Sequence, residues 1–569
     1  MKKDSQITAG GALFGKLKAL GVDYVFANSG TDFPPIIEGL IEARENNVDL
    51  PAALTIAHEH VAVGMAHGYT QITGKPQAVM LHTNVGLSNG ATGLINAACD
   101  QVPMIVMSGR TPVTEGGRFG ARTVPIGWGQ EMFDQTALVR EACKWDYELR
   151  FPEQVAEVLD RGWAIANSTP KAPVYLNLPR EVLCEPCPVE GLDQPSRMSP
   201  ATSAPTADAL QQAAELLAAA ENPLIIAQRG AGSPQAFEAL AAFVEDWALP
   251  LSHYWANQIA IPMTSPCHVG WMPGDLLTNA DVVLVLDALA PWWPDMSAPA
   301  EDAKIIQLGP DPLFARSTPI RNFRSDVTLP GNTSDTILAL IEAVNQQNRD
   351  EDKITSRRQH IADISARERL RIEDKANSGG DGPMSKDWVS HCLGQAIKGR
   401  KARIFSELGG PLPPLQLENH QSYFQEPHSG GLGWGVPAAM GAQLADPDHL
   451  VFATIGDGSY MFANPTVCHQ VCEVLKLPII ILVLNNEEWG AVRHSVAGLY
   501  KGGRAAKSND VPLTSLRPSP DFALTAQASR AHGETVSNKH DLPAALESAI
   551  DIATREKRHV LLNIAVERV

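Results

Sequence analysis

Two short patterns late in the chain are the residues best suited to chemistry. Gly456-Asp457-Gly458-Ser459 closes the apolar run LVFATI, and Asn485-Asn486 closes PIIILVL, with 26 residues lying between Gly458 and Asn485. Each stands where a buried strand would end, and in open α/β sheets ligands sit beyond those ends. A carboxylate and a carboxamide at neighbouring strand ends make a hard-cation site suited to magnesium, and the glycines let the backbone approach an anion closely. Amides after Asp457 and a helix start near Asn464 add donors for anionic oxygens. A diphosphate bridged by the metal is the guest this donor set suits. Singly, GDG and NN are ordinary turn-forming dipeptides. Their pairing at two strand ends carries the argument.

Four other places hold residues of interest. Glu59 stands at the junction between the strand-like AALTIA and the helix-like HVAVGMAHGYTQITG, where a carboxylate is favoured by the helix dipole whatever its function. His82 ends the strand-like QAVMLH. Histidine titrates near neutral pH and suits proton transfer, although a satisfied core histidine is the plainer account. Gln130, in Gly129-Gln130-Glu131, precedes a helical stretch ending at Lys144, and a solvated polar residue is the alternative there. The glycine-rich SGGLGWG, residues 429–435, lacks the strand and acidic partner of a dinucleotide fingerprint. Cys184 and Cys187 form a C-x-x-C with no second pair, and Cys468, His469 and Cys472 fit a buried helix; neither cluster is read as a metal site.

The elements that position these residues alternate regularly. DYVFANSG, PPIIEGLIEA, AALTIA, HVAVGMAHGYTQITG, QAVMLH and PMIVMSG read as strands and helices in turn, the signature of a parallel sheet flanked by helices. Near residue 190 the sequence becomes dense in Pro and Ser and reads as a linker. DALQQAAELLAAA, PLIIAQ, DVVLVLD and KIIQLG repeat the alternation, and a mixed-charge, partly helical connection follows. RIFSEL, LVFATIGDG, PIIILVLNN and HVLLNIAV form a third set. The expectation is an α/β chain of three doubly wound parallel-sheet domains, over residues 1–189, 204–348 and 380–569.

The GDG…NN pair at this spacing resembles the binding motif of thiamine diphosphate-dependent enzymes, and the resemblance spans essentially the whole chain. It is closest to the branch containing benzoylformate decarboxylase, acetolactate synthase and benzaldehyde lyase. It implies a first domain that binds the aminopyrimidine ring, a central domain, and a third that binds the diphosphate and Mg2+. Asp457, Asn486 and the backbone carbonyl of Glu488 would be the metal ligands, with Gly458 and Ser459 beside the cofactor. Deprotonating the thiazolium requires a carboxylic acid against the aminopyrimidine, and the matching residue is Glu59. Gly430 would supply a carbonyl to that ring and Leu432 would prop the cofactor's bent shape, although a core leucine would also be buried at this place. Where decarboxylase relatives tend to have hydroxyl residues near the diphosphate, this chain has Leu408-Gly409-Gly410.

On the substrate side the resemblance points two ways. A histidine at the place of His82 faces substrate in the benzoylformate decarboxylase relatives, whereas Gln130 resembles the glutamine of acetolactate synthases and benzaldehyde lyase. The decarboxylases' second histidine has no counterpart, since the chain reads DALAPWWPDM there; Trp292 and Trp293 either shape an apolar wall or pack an interface. The implied activity is non-oxidative decarboxylation of a 2-oxo acid. Carboligation, also with an aldehyde, is the alternative, and a non-catalytic regulatory subunit is an alternative of another class. A flavin-containing relative stays open for the central domain. In the family the Glu59 and Asp457 positions meet across a subunit boundary, which implies a homodimer or homotetramer.

Composition sets the outer limits. With 46 Lys+Arg against 64 Asp+Glu the formal charge is −18, opposite to a nucleic-acid binder's footprint. The longest apolar run, residues 477–484, falls far short of the ~18 residues of a membrane span. The opening MKKDSQITAG lacks a signal peptide's apolar stretch, and eight cysteines in 569 residues are too sparse for a disulfide scaffold. A cytoplasmic protein with small-molecule substrates, and neither nucleic acid nor membrane as partner, is the expectation.

Overall fold

Strands such as Val282–Leu286 (VVLVL), Pro223–Ala227 (PLIIA) and Ile480–Asn485 (IILVLN) are apolar at nearly every position. Such runs are stable only when covered on both faces, the situation of a parallel sheet between helices. In the computed structural model, which describes residues 6–315, 318–378, 383–508 and 511–568, three parallel sheets form.

The first sheet has the order Ala52–Thr55, Tyr24–Ala27, Gln77–Leu81, Met104–Arg110, Val174–Pro179, Asp146–Glu148. The middle sheet runs Leu251–Ser252, Pro223–Ala227, Val282–Leu286, Lys304–Gly309, Val327–Pro330. The third runs Tyr423–Gln425, Ala402–Glu407, Leu450–Gly456, Ile480–Asn485, Val560–Ala565, His532–Val536. Numbered in chain order within each sheet, the first and third share the order 2-1-3-4-6-5. In both, the direction of winding reverses between the first and third strands, which leaves a crevice at their carboxyl ends.

The Pro-rich stretch near residue 190 contributes the short strand Pro186–Pro188, antiparallel to Gln6–Thr8. The mixed-charge connection is a 27-residue helix, Glu351–Asn377, whose buried residues are Ile354, Ile361, Ser365, Ile372 and Ala376. One thin stripe suffices to hold it, which is why the sequence there carries so few large apolar residues. No described helix is long and apolar enough to cross a membrane.

By its contacts the chain divides into two compact units. One comprises residues 1–201, 427–447 and 461–477; the other comprises 202–426, 448–460 and 478–569. The first therefore holds the first sheet together with helices Gly435–Ala445 and Pro465–Leu475. Helix Gly435–Ala445 packs on Glu59–Thr73 through small residues. A Cβ at Gly68 would lie 2.0 Å from the Ala438 carbonyl oxygen, one at Gly441 2.0 Å from the Met65 carbonyl oxygen, and one at Gly64 2.6 Å from Pro437 Cβ. Backbone-to-backbone approach of this kind is open only to glycine. It seats the helix that begins with Glu59. The core of the first unit gathers Leu13, Phe14, Val25, Ile105 and Leu176; that of the second gathers Ile225, Val283, Ile306, Ile480 and Leu562.

Candidate active site

The two sets of candidate residues fall at the reversal points of the first and third sheets. In the first unit, strand Tyr24–Ala27 runs out into Asn28–Asp32 and its neighbour Gln77–Leu81 into His82. Asp32 Oδ1 lies 2.5 Å from His82 Nδ1, and Asp32 Oδ2 accepts from the Thr83 amide at 3.3 Å. On the far side of the ring, His82 Nε2 is 3.2 Å from Gln130 Nε2. Asp32 is buried and His82 half-buried. The bond to Asp32 lifts the imidazole above its ordinary value, burial opposes this, and the charges of Asp32 and Glu59 add to the lift. Asp32, Thr83 and Gln130 line a cavity of about 1030 Å³ that also meets Thr31, Phe119 and Arg122.

Gln130 follows the short helix Ile126–Gly129. Its neighbour Glu131 is clamped by two arginines: Arg110 donates to Oε1 at 2.7 Å and Arg122 donates to Oε2. Arg110 also pairs with Glu148 at 3.2 Å. The helical stretch expected up to Lys144 is two 3-10 turns, Gln135–Leu138 and Arg140–Ala142. Asp134 caps the first of these, and Arg140 bonds back to the same carboxylate.

Glu59 is the first residue of helix Glu59–Thr73, with His58 Nδ1 accepting from the His60 amide. Its carboxyl is buried and held from two sides, by Asn28 Nδ2 on Oε1 at 2.9 Å and Asn89 Nδ2 on Oε2 at 3.2 Å. A Cβ at Gly86 would lie 3.0 Å from Oε1, so that glycine keeps the space beside the acid open. In the same unit Asn96 grips the turn before helix Gly435–Ala445. Its Nδ2 donates to the Gly431 carbonyl at 2.8 Å, and its Oδ1 accepts from the Ser429 hydroxyl at 2.7 Å and the Gly431 amide at 3.2 Å. Gly430 is exposed with φ +70°, and Leu432 is half-buried rather than part of the core. His60 is buried against the Leu432 and Gly433 backbone, and burial lowers its imidazole.

In the second unit, strands Leu450–Gly456 and Ile480–Asn485 are paired with Gly456 opposite Leu484. Adjacent strands lie about 4.8 Å apart, so Asp457 and Asn485 leave the sheet as neighbours, with Asn486 one residue further on. Asp457 is 3 % exposed; Oδ1 accepts from the Gly458 amide at 2.9 Å, while Oδ2 has no hydrogen-bond partner among the described residues. Burial pushes this carboxyl up against the opposing pull of the Gly458 and Glu487 amides and of Lys386. A buried carboxylate oxygen with nothing to bond is costly, and a cation at that point would satisfy it. Asn486 is buried, and its Oδ1 accepts from the Glu488 amide at 3.2 Å. The Glu488 carbonyl accepts from the Gly490 amide at 2.8 Å. These donors fit a divalent cation. Gly458 is required sterically, since a Cβ there would lie 2.3 Å from the Trp489 ring, and Ser459 is buried next to it.

Opposite Asp457, across the same reversal point, strand Ala402–Glu407 ends in Leu408-Gly409-Gly410, with Leu408 at φ +51°. Lys386 Nζ donates to the Leu408 carbonyl at 2.9 Å. A Cβ at Gly409 would lie 2.3 Å from the Thr454 carbonyl oxygen and one at Gly410 2.3 Å from Ser390 Oγ. The glycines thus occupy space that any side chain would overfill. Thr454 and Ser390 keep buried hydroxyls with no partner among the described residues.

Sequence reasoning did not single out Asn28, Asp32, Asn89, Asn96 or Glu131. The polar run closing strand Tyr24–Ala27 was the available signal for the first two. Trp292 is buried edge-on to Phe323 at 5.2 Å, whereas Trp293 is exposed. Cys468, His469 and Cys472 are all buried, and no cluster of three His, Cys, Asp or Glu among the described residues could hold a metal ion.

Comparison with known proteins identifies the family. The family models "Thiamine pyrophosphate enzyme, N-terminal TPP binding domain", "central domain" and "C-terminal TPP binding domain" match residues 7–138, 210–340 and 413–564 in that order. The chain belongs to the thiamine pyrophosphate enzyme family, and its cofactor is thiamine diphosphate. It is 30% identical over 564 residues to a probable 2-ketoarginine decarboxylase of Pseudomonas aeruginosa, covering 95% of this chain and 91% of that protein. Its identity to a benzoylformate decarboxylase of the same organism is 25%, covering 94% and 95%. Among solved structures, a thiamine diphosphate-dependent 4-hydroxybenzoylformate decarboxylase of Rhodococcus jostii RHA1 superposes with a TM-score of 0.77 over 99% of each chain at 23% identity, which shows the shared fold.

Proposed function

We propose that the chain removes CO₂ from a 2-oxo acid non-oxidatively, with His82 moving the proton that the reaction consumes. The observation that carries this is the line Asp32–His82–Gln130, which ends on the wall of the large cavity at the first sheet's reversal point. An imidazole lifted above its ordinary value gives a proton near neutral pH, the condition for a general acid. Bound thiamine diphosphate supplies the electron sink that lets CO₂ leave. Glu59, oriented by Asn28 and Asn89, is the acid for the aminopyrimidine ring, with the Gly430 carbonyl and Leu432 completing that side. Asp457, Asn486 and the Glu488 carbonyl hold magnesium, with Gly458 and Ser459 beside the diphosphate; the bare Asp457 Oδ2 supports this.

The relatives' names suggest a 2-oxo acid with a sizeable side chain, and the cavity has room for one. A panel containing 2-ketoarginine, benzoylformate and pyruvate, each with and without an aldehyde acceptor, tests the reading by CO₂ release and ligation product. His82→Ala should slow CO₂ release about 100 to 10,000-fold, as for a lost general acid or base, while leaving cofactor affinity unchanged. Gln130 favours carboligation as a second reading, because its amide stands beside the His82 ring at the cavity. Gln130→Ala would then abolish ligation while His82→Ala kept much of it. If both variants match the parent in both assays, the substrate side is assigned wrongly.

The functional form is a homodimer or homotetramer in which Glu59 of one copy serves the cofactor held by Asp457 of another. Exposed Phe119, Val124, Ile126, Trp128 and Phe133 in one segment of the first unit support association. An active monomer by light scattering at assay concentration would refute it. A cytoplasmic location accords with eight cysteines that form no disulfide among the described residues.

A further inference from the structure

Asp32 is a residue with few reasons to be where it is. It is 4 % exposed, and among the described residues its one ion-pair contact is with His82. A carboxylate taken out of water with no partner costs several kcal/mol, so this burial makes sense only if the pair is a unit. The surroundings are cut to fit it. A Cβ at Gly30 would lie 2.1 Å from His82 Nδ1, and one at Gly109 would lie 1.7 Å from Asp32 Oδ2. Neither glycine has a backbone angle that demands glycine; what each provides is room for the pair.

The backbone at this point is also strained. Thr83 sits at φ +39°, and a β-branched residue there is an outlier that persists only when its surroundings over-determine it. Asp32 does part of that, since its Oδ2 accepts from the Thr83 amide. One carboxylate therefore fixes both the ring and the turn that carries it.

The two ring nitrogens have different neighbours. Nδ1 faces Asp32, which as a carboxylate can only accept, so Nδ1 carries a hydrogen in either charge state. Nε2 faces Gln130, whose own Nε2 donates to the neutral ring and whose Oε1 accepts from the charged ring after the amide turns over. The charged groups acting on His82 are Asp32, from the loop after strand Tyr24–Ala27, and Glu59, from the start of helix Glu59–Thr73; Gln130 is neutral.

We propose that Asp32 is a positioning residue for His82: it accepts a hydrogen bond from Nδ1–H and so commits Nε2, which faces the cavity-lining Gln130, to be the atom that gives or takes a proton. This rests on the reading of His82 as the proton carrier in decarboxylation. In balance, one proton passes from Nε2 to the carbon that has lost CO₂, and solvent returns one proton to Nε2; Nδ1 keeps its hydrogen throughout.

The test uses the full chain labelled with ¹⁵N-histidine. In the parent, long-range ¹H–¹⁵N correlation should show Nδ1 protonated and Nε2 without a hydrogen above the His82 midpoint; an Nε2–H tautomer overturns the proposal without any variant. In Asp32→Asn the His82 midpoint should move down, and kcat for CO₂ release should fall about 100-fold with its basic limb shifted down by the same amount. KM and calorimetric cofactor affinity should change by less than about threefold. A merely structural Asp32 would lower stability and leave the midpoint where it was, and an unmoved midpoint in folded Asp32→Asn overturns the proposal. If the parent turns over no 2-oxo acid, the decarboxylase reading fails, and the tautomer and midpoint still decide whether Asp32 orients the ring.

Discussion

Replacing Glu59 by glutamine separates the geometry of the acid from its proton. The parent carboxylate accepts from Asn28 Nδ2 at 2.9 Å and from Asn89 Nδ2 at 3.2 Å. Glutamine offers one oxygen and one NH₂, so one bond survives and the other becomes a donor facing a donor. The shorter bond, to the half-buried Asn28, should be kept, and the exposed Asn89 should be stranded. Because Asn89 can turn to water, the stability cost belongs at the low end of the range for a broken bond, about 1 kcal/mol. Loss of the acid costs far more in rate, about 100 to 10,000-fold, or roughly 3 to 5 kcal/mol of barrier. Denaturant titration, calorimetric cofactor binding and CO₂ release together should show a small loss of stability, near-parent binding and a large loss of turnover. The double variant Glu59→Gln/Asn89→Asp restores donor–acceptor matching but leaves the acid displaced; it should recover stability and not activity. Turnover within a few-fold of the parent in the single variant, or recovered in the double, would refute the assignment.

Asp457→Ala should abolish magnesium-dependent retention of thiamine diphosphate, read by calorimetry with and without chelator; unaltered cofactor affinity contradicts the site. Gly68→Ala should destabilise by about 2 kcal/mol, because overpacking against the Ala438 carbonyl costs up to about 3 and helix propensity returns about 1. Gly116→Ala, which meets nothing within 4 Å, is the control, and equal denaturation midpoints for the two variants would exclude close helix contact. The adjacent pair His253 and His268, rings 4.8 Å apart and tilted by 38°, is buried and neutral in the fold, with burial lowering His268 to about 4 and His253 further. The unfolded chain takes up protons below about 6.5, so this contribution is intact above that pH and is lost as pH falls toward 4. At 1.36 kcal/mol per pH unit, His268 accounts for roughly 3 kcal/mol of that loss. Histidine ring resonances that titrate near 6.5 in the folded protein at these two positions would contradict it.

Much of this architecture was legible because buried parallel strands write themselves as unbroken apolar runs. VVLVL, IILVLN and PLIIA could hardly be anything else, and the polar residues that stop such runs, Asp457 and Asn486, stand out against them. Asp32 was not legible in the same way. Its partner is 50 residues away, and what makes the pair is a crossing of two strand ends together with room left by Gly30 and Gly109. Gln130 was visible as a polar residue, whereas its anchoring by Arg110 and Arg122 through Glu131 depends on side chains brought together by the fold. Leu432 was expected to be buried and is half-buried, since the turn before it is held by Asn96 rather than by packing. The stretch before Lys144 has the composition of a helix, but capping by Asp134 and its bonds to Arg140 close it into two short turns.

The glycine contacts between helices Glu59–Thr73 and Gly435–Ala445 bear on how such a chain can be recombined. A seam chosen from the linear order, between the first sheet's last strand and the middle sheet, separates helix Gly435–Ala445 from the partner whose Gly64 and Gly68 admit it. A chimera that takes residues 380–569 from a relative must therefore bring a helix whose small residues mesh with Gly64 and Gly68, or exchange helix Glu59–Thr73 along with it. The heritable module is this pair of helices, with Gly435, the first residue of one, 362 positions after Thr73, the last of the other, and it travels whole or not at all.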